Sequence, residues 1–222
     1  MKKLLITIDG PAGAGKTSVS RALARRLGYR YVDTGALYRG VAFEVKRQGI
    51  DPESEAALAA LCDRIQLAFK QEGDGMRLYS AGTDISDLIR TPEISMLASA
   101  VSAKPVVRKY LLSVQKDIGR RKAAVFEGRD MGTVVFPEAD VKFFLDASSQ
   151  TRARRRYDEL KSKSGQSLKQ VEKDMLRRDR DDSTRSLAPL RPADDAIIID
   201  SSDLSIDEVV ESMLAHIARL KG

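Results

Sequence analysis

Gly10-Pro11-Ala12-Gly13-Ala14-Gly15-Lys16-Thr17 is the stretch on which the reading of this chain turns. It fits the spacing G-x-x-x-x-G-K-[ST], and its surroundings complete the signal. Upstream, residues 3–8 (KLLITI) are short, apolar and β-branched, the pattern of a strand buried on both faces. Downstream, residues 16–27 place Val19, Leu23 and Leu27 at i, i+4 and i+8, and Gly28 stands where a helix stop is expected. Strand, glycine-rich turn and helix in this order predict a cradle for phosphate. The glycines let successive backbone N–H groups face an anion. The helix adds its unsatisfied N–H groups and the positive end of its dipole. Lys16 offers a cation to the terminal phosphates, and Thr17 a hydroxyl to Mg²⁺. The segment implies a nucleoside triphosphate, held by Gly10, Pro11, Ala12, Gly13, Ala14, Gly15, Lys16 and Thr17, and leaves open what is done with it.

Working outward, residues 29–32 read as a second strand and 34–48 as a helix stopped by Gly49. Asp51-Pro52-Glu53 opens a short helix to about residue 63. Residues 65–70 and 76–80 read as two strands joined through Glu72-Gly73-Asp74-Gly75, a hairpin signal. This antiparallel texture marks an insertion at about 64–90. Helices are expected over 92–101 and 105–121, each with proline at its start. Strands follow at 123–126 and 141–145. Two charged helices, 150–163 and 168–182, are joined at Ser164-Gly165. The last strand is 196–199 and the last helix 205–220, where Ser205 and Glu208 form a capping box. About five parallel-type strands alternating with helices predict an α/β doubly wound sheet.

Composition narrows the function. The chain has 222 residues, 42% hydrophobic and 32% charged, enough for one α/β domain with insertions. No apolar run approaches the roughly 20 residues that span a bilayer. Met1-Lys2-Lys3 and the apolar residues after it imitate a signal peptide, but the run meets Asp9-Gly10-Pro11 too early and shows no cleavage pattern. The single cysteine, Cys62, makes no internal disulfide and reads as a small core residue rather than a reactive thiol. His216 is the only histidine, so no metal cluster of Cys and His is expected, and its place in the last helix indicates a structural or surface role. The expected setting is soluble and cytoplasmic, without a membrane partner. The net charge of +6 admits either nucleic-acid binding or arginines converging on small phosphorylated ligands. With 5% aromatic residues, no tryptophan and no interleaving of basic and aromatic residues, the second reading is preferred.

No N-K-x-D guanine reader is present, and Glu127-Gly128-Arg129-Asp130 after a strand only approximates the acidic strand end of motor ATPases. Arg178, Asp182 and Arg185 are spaced i, i+4 and i+7, which predicts one helix face with two cations and a carboxylate. Such a face can hold phosphates and a sugar hydroxyl, or can be a solvated face laced with ion pairs. Beside a phosphate loop, the first reading suits phosphoryl transfer between two anionic ligands. A phosphate monoester has its second pKa at about 6, so it is already a nucleophile and needs no strong base. Positioned cations are then the main catalytic requirement.

Four further segments are recognisable: Val32-Asp33-Thr34-Gly35-Ala36-Leu37-Tyr38-Arg39, Glu127-Gly128-Arg129-Asp130-Met131-Gly132-Thr133-Val134-Val135-Phe136-Pro137, Phe144-Leu145-Asp146-Ala147-Ser148 and Asp182-Ser183-Thr184-Arg185-Ser186-Leu187-Ala188-Pro189-Leu190. With the phosphate loop they resemble the bacterial cytidylate kinase family, in order and across essentially the whole chain. The resemblance implies a single P-loop kinase domain: a parallel sheet of about five strands flanked by helices, a small antiparallel insertion that binds nucleoside monophosphate, and a short helical lid. The core would comprise about 1–35, 104–149 and 186–222, the monophosphate-binding region about 36–103, and the lid about 150–185. The implied reaction is ATP with CMP or dCMP, giving ADP with CDP or dCDP, with Mg²⁺, in a monomer without nucleic-acid partners.

The family likeness also implies roles. Thr34, Arg39 and Arg129 would hold the acceptor phosphate, joined by Arg185 from the lid; Thr34 stands where some relatives have serine, and the hydroxyl is kept. Arg178 and Asp182 would meet the sugar and the acceptor. Lys16, Arg129, Arg178 and Arg185 form the catalytic set. Ser99, Arg108 and Asp130 match the family's cytosine readers. A carboxylate accepts from the cytosine N4 amino group, whereas uracil presents an acceptor there. Arg152 and Arg156, spaced i and i+4, either contact ATP or form a basic solvated face. Tyr38 lines the monophosphate pocket or belongs to the core. Asp9 and Asp33 orient Mg²⁺ or its water shell, or cap local backbone. The alternatives are a kinase of another small acceptor and a basic, nucleic-acid-binding nucleotidase.

Overall fold

The computed structural model describes residues 3–72, 75–161 and 165–219. In chain order the elements are β1 (Leu5–Asp9), α1 (Lys16–Leu27), β2 (Arg30–Asp33), α2 (Thr34–Arg47), α3 (Glu55–Arg64), β3 (Leu67–Glu72), β4 (Gly75–Ser80) and β5 (Thr83–Asp84). Next come α4 (Pro92–Ser102), α5 (Pro105–Gly119), β6 (Ala124–Glu127), β7 (Val141–Asp146), α6 (Ser149–Leu160), α7 (Leu168–Thr184), β8 (Ile197–Asp200) and α8 (Ile206–Arg219). A π-helical turn, Met131–Val135, lies between β6 and β7. The chain divides into two compact units, residues 32–120 and the remainder.

The unit formed by the two chain ends is built on a five-stranded parallel sheet in the order β2-β6-β1-β7-β8. All five residues of β1 are buried, which is why its sequence is nearly continuous in apolar side chains. The register pairs Ile8 with Glu127 on one side and Phe143 on the other, and Asp9 with Phe144. The carboxyl ends of β1, β6 and β7 therefore lie along one edge, the edge at which the glycine-rich loop begins. In open α/β sheets this edge carries the ligand. Ile6, Ile8, Val19, Leu23, Phe143 and Leu145 form the core together with Val209, Val210, Met213 and Ile217 of α8. Gly28 ends α1 with φ 66°, as expected. The capping box of α8 forms: Glu208 N–H donates to Ser205 Oγ at 3.3 Å, and Ser205 N–H donates to Glu208 Oε2 at 2.8 Å. Helix α6 stops at Leu160, short of the expected residue 163, and α7 runs two residues past Asp182. Lys163 and the Ser164 half of the expected joint lie outside the described residues. Ala153, Leu160, Val171 and Met175 pack α6 and α7 together, with Ala12 of the loop against them.

The second unit carries the antiparallel sheet β3-β4-β5, pairing Leu67 with Ser80 and Phe69 with Leu78. The expected hairpin turn at Gly73 and Asp74 lies outside the described residues. Strand β5 is an addition to the sequence reading; only two residues long, it follows a turn in which Ala81 and Gly82 both have positive φ. Helix α3 begins at Glu55, four residues later than expected. Asp51 Oδ1 accepts Glu53 N–H at 2.9 Å and so forms a local turn, and Ser54 is the actual cap, accepting Ala57 N–H at 3.4 Å. Both prolines sit in the first turns of α4 and α5. Cys62 lies in this unit's core with Leu37, Val41, Leu58, Leu61 and Leu111, the packing role expected of it. Among the described residues, no helix is long and apolar enough to cross a membrane.

Candidate active site

The loop after β1 is braced by bonds to its carbonyl groups. Lys16 Nζ donates to Pro11 O at 2.6 Å, Arg152 Nη1 to Ala12 O at 3.0 Å, and Ser201 Oγ to Ala14 O at 3.1 Å. In a planar trans peptide the C=O and the following N–H point in opposite directions. Fixing the Ala12 and Ala14 carbonyls on Arg152 and Ser201 turns the N–H groups of Gly13 and Gly15 to the opposite side, the geometry of an anion nest. Gly10 and Gly13 are required sterically. A Cβ on Gly10 would lie 2.0 Å from Leu145 O, and one on Gly13, at φ 74°, would lie 2.8 Å from Arg152 O. Gly15 precedes α1 with no side-chain cap, so no side chain competes for the helix N-terminus.

Lys16 is buried against this loop. Burial, with the charges of Arg129 and Arg178, pushes its ammonium down to about 7 against the opposing pull of Glu127 and Asp9. Thr17 Oγ1 donates to Glu127 Oε1 at 2.9 Å, and Tyr31 Oη donates to the same oxygen at 2.6 Å. Asp9 accepts the N–H groups of Met131 and Gly132 at 2.9 and 2.7 Å, one on each carboxylate oxygen. It therefore caps the π-helical turn that follows Arg129 and Asp130. Burial raises its carboxyl to about 6, partly offset by these two amides.

Asp182 gathers the arginines. Arg129 Nε donates to its Oδ2 at 3.0 Å, Arg178 Nε lies 3.9 Å from the same oxygen, and Arg185 Nη1 lies 3.7 Å from Oδ1. Arg185 also reaches Asp130, Nη2 to Oδ1, at 3.8 Å. Burial works to raise the Asp182 carboxyl, but Arg129, Arg178 and Arg185 overcome it and hold it below the ordinary range. Arg185 is not on the helical face that its spacing predicted. It is the C-cap of α7 with extended backbone (φ −60°, ψ 141°), and its Nε donates to Ala188 O at 2.8 Å. Its side chain still converges on Asp182. Arg152 is buried, donating also to Ala147 O at 3.0 Å and to Asp179 Oδ2 at 2.5 Å. Arg156 pairs with Glu159 at 2.9 Å at the surface. His216 lies half-buried in the last turn of α8, outside this constellation.

In the second unit Asp33 is the N-cap of α2: its Oδ1 accepts Ala36 N–H at 2.9 Å, while its Oδ2 accepts Arg39 Nη2 at 2.7 Å. Burial works to raise the Asp33 carboxyl, yet Arg39, Arg90 and the Ala36 amide hold it below the ordinary range. Asp9 and Asp33 thus both accept backbone N–H groups, as one of the two roles the sequence left open for them requires. Thr34 is the buried first residue of α2. The Arg108 guanidinium lies over the Tyr38 ring, 5.6 Å from its centroid, and its Nη1 donates to Ser102 O at 3.1 Å. Ser99 is half-buried on α4, where its carbonyl accepts Ser102 Oγ at 2.7 Å.

Comparison with known proteins identifies the assembly. The family described as cytidylate kinase matches residues 6–219. The chain belongs to the cytidylate kinase family. The cytidylate kinase of Geobacter sulfurreducens is 51% identical over 95% of this chain and 91% of its own length. That of Halalkalibacterium halodurans is 44% identical over 98% of each chain. Among solved structures, shikimate kinase from Acinetobacter baumannii in complex with shikimate aligns with TM-score 0.51 and 16% identity, covering 98% of this chain and 94% of its own. A gluconokinase from Sinorhizobium meliloti 1021 aligns with TM-score 0.51 and 17% identity, covering 98% and 93%. These two share the P-loop kinase fold. As a cytidylate kinase family member, the chain is a nucleoside monophosphate kinase, an enzyme of nucleotide-dependent phosphoryl transfer.

Two residues near these groups escaped the sequence reading of this cytidylate kinase family member. Arg155 donates to Ser201 O at 2.7 Å and to Ser201 Oγ at 3.1 Å, and its Nη1 lies 3.8 Å from where a Gly15 side chain would begin. Arg90 is exposed and acts electrostatically on Asp33. No motif marks either; only the fold brings them to the loop and to the α2 cap. For a cation, the described residues hold no group of three or more His, Cys, Asp or Glu placed to bind a metal ion. The oxygen donors near the loop are the Thr17 hydroxyl and the Glu127 carboxylate. This sparse, all-oxygen set suits Mg²⁺, which keeps waters and takes phosphate oxygens as further ligands.

Proposed function

We propose that this chain transfers the γ-phosphoryl group of ATP to CMP or dCMP, yielding ADP and CDP or dCDP. The observation that carries the reading is the buried Asp182 carboxylate gathering Arg129, Arg178 and Arg185, of which Arg129 and Arg178 also act on Lys16 of the phosphate loop. The loop amides and Lys16 hold the β- and γ-phosphates. Arg129, Arg178 and Arg185 neutralise repulsion between donor and acceptor and stabilise charge on the transferring group. Thr34 and Arg39 hold the acceptor phosphate, with Arg39 oriented by Asp33. Bound through Thr17 and phosphate oxygens, Mg²⁺ would supply Lewis-acid neutralisation of the triphosphate. The acceptor phosphate, with its second pKa at about 6, is largely dianionic near neutral pH and attacks without a general base. Asp130, with Ser99 and Arg108, reads the cytosine edge. Tyr38, under the Arg108 guanidinium, supplies an aromatic wall. The segment 150–185 serves as a lid, and the enzyme works as a cytoplasmic monomer on small nucleotides alone.

The test is a coupled ADP-release assay with each nucleoside monophosphate. CMP and dCMP should be phosphorylated far better than UMP, AMP or GMP; a preference for AMP would refute the base assignment. Asp130→Ala should shrink the preference for CMP over UMP by about tenfold or more, because the wrong base then no longer leaves a buried polar group unpaired.

A further inference from the structure

We infer that Arg152 is a positioning residue that ties the phosphate loop to α7, the helix bearing Arg178 and Asp182, rather than a ligand of ATP. The inference rests on the proposed function and names a part of the same site. One guanidinium joins three segments: its Nε donates to Ala147 O, just past β7, while its Nη1 donates both to Ala12 O in the loop and to Asp179 Oδ2 on α7. The side chain is 10% exposed and Asp179 19%, so the pair is largely removed from water and its geometry is confined.

Each end has a distinct consequence. At the loop, the bond to Ala12 O fixes the plane of the peptide joining Ala12 to Gly13. Because C=O and N–H are opposed across that plane, the Gly13 N–H is aimed toward the phosphate nest. Without Arg152 this peptide is free to turn, and the carbonyl, a repulsive dipole, can face the anion. At the helix, Asp179 directly follows Arg178 and lies three residues before Asp182. Holding Asp179 sets the rotation of α7 about its axis, and with it the direction from which Arg178 and Asp182 approach. Arg152 thus couples how ATP is held to where the lid arginines stand, without touching either substrate.

The two ends make separable predictions, read by ATP calorimetry and by steady-state kinetics with ATP and CMP. Arg152→Met should raise the ATP dissociation constant about tenfold or more and lower kcat, while the KM for CMP changes by less than about threefold. Arg152→Lys keeps a charge beside Asp179 but cannot span both acceptors, so it should restore kcat more than it restores ATP affinity. Asp179→Asn leaves the loop bond in place; it should lower kcat about tenfold with ATP affinity within about twofold of wild type, and it carries the test should Arg152→Met fold poorly. Equal losses for ATP and CMP, or unchanged ATP affinity in a folded Arg152→Met protein, would overturn the assignment. An unchanged kcat in Asp179→Asn would overturn its helix end. Wild-type protein that binds ATP but leaves CMP unphosphorylated would refute the proposed function instead, and calorimetry on the variants would still decide the role of Arg152 at the loop.

Discussion

ATP binding should draw a proton from solvent, and the source of the effect is Lys16. Its ammonium is pushed down to about 7 because burial strips its hydration and Arg129 and Arg178 repel it. A triphosphate arriving in the nest reverses the balance: its negative charge favours the ammonium and restores a pKa well above neutrality. At about pH 8 some nine-tenths of the free protein carries neutral Lys16, so each ATP bound should take up about 0.9 proton. The terminal phosphate of ATP, with a pKa near 6, is fully ionised there and adds nothing. Asp9, with its carboxyl at about 6, is ionised as well. The sign follows. A ligand that binds the protonated form loses affinity as pH rises, here by about eightfold between about pH 7.5 and 8.5.

Calorimetric titration of ATP into the protein at about pH 8, in two buffers of different ionisation enthalpy, measures the uptake directly. Lys16→Arg keeps a positive charge throughout this range, so its uptake should vanish and its affinity should be flat with pH. Zero uptake or proton release by the wild type, or pH-independent ATP affinity, would refute the claim that free Lys16 is held near neutrality by its surroundings.

Three other substitutions probe the supports of the site. Asp9→Asn offers one acceptor to the two amides of Met131 and Gly132; leaving one unsatisfied costs about 1–3 kcal/mol, offset by removing a buried charge, so the melting temperature should move little. Its kcat/KM for CMP should fall about tenfold or more, and unaltered turnover would show that the turn carrying Arg129 and Asp130 does not depend on Asp9. Asp33→Asn keeps a good cap for α2 but loses the charge pair with Arg39, so the KM for CMP should rise about tenfold. Because the Asp33 carboxyl is held below its ordinary value, wild type gains stability from it above about pH 4 and loses that gain on further acidification. The Asn variant should therefore show a shallower acid limb in its stability curve. Among the described residues Gln115, on the buried stripe of α5, finds no hydrogen-bond partner for either side-chain polar atom, so Gln115→Met should stabilise the protein by about 1 kcal/mol, measured by urea unfolding, with activity retained.

The parts of the fold legible in sequence are those specified by neighbouring residues. The glycine spacing, the apolar strand before it and the helix stripe after it define β1, the loop and α1 within about 25 residues. The antiparallel hairpin was visible because alternation and turn chemistry act over a few residues. The π-helical turn was not: its backbone bonds reach from Val135 N–H to Asp130 O and from Phe136 N–H to Met131 O, and its amides are anchored by Asp9, 122 residues away in sequence from Met131. No local propensity encodes such an anchor. Arg185 shows the opposite case, a correct convergence expected for a wrong reason. Helical spacing put it on the face of Arg178 and Asp182, whereas α7 ends first and an extended cap residue reaches the same carboxylate. Arg152 exposes what charge patterning omits. A basic helix reads as solvated or ligand-binding, and only coordinates show a guanidinium turned inward onto backbone carbonyls.

The electrostatics of the first unit explain why lysine, rather than another arginine, belongs in the loop. Arginine does not deprotonate in proteins, so Arg129, Arg178 and Arg185 impose a permanent positive field that Asp182 only partly offsets. A field already in place needs no reorganisation when phosphates arrive, which is the condition for electrostatic stabilisation of phosphoryl transfer. The same field would penalise a further fixed cation in the empty loop. Lysine can shed its proton when no anion is present and regain it when one binds, so the strain of assembling like charges is relieved in the free enzyme and the full positive charge is restored in the complex. On this argument the part of the Lys16 depression that Arg129 and Arg178 add to burial reports the preorganisation of those arginines. Removing one of them, as in Arg129→Gln, should raise the Lys16 pKa and shrink the ATP-linked proton uptake at about pH 8, even where ATP still binds. Uptake unchanged in that variant would mean that burial alone depresses Lys16, and the arginines would lose their claim to a preorganised field.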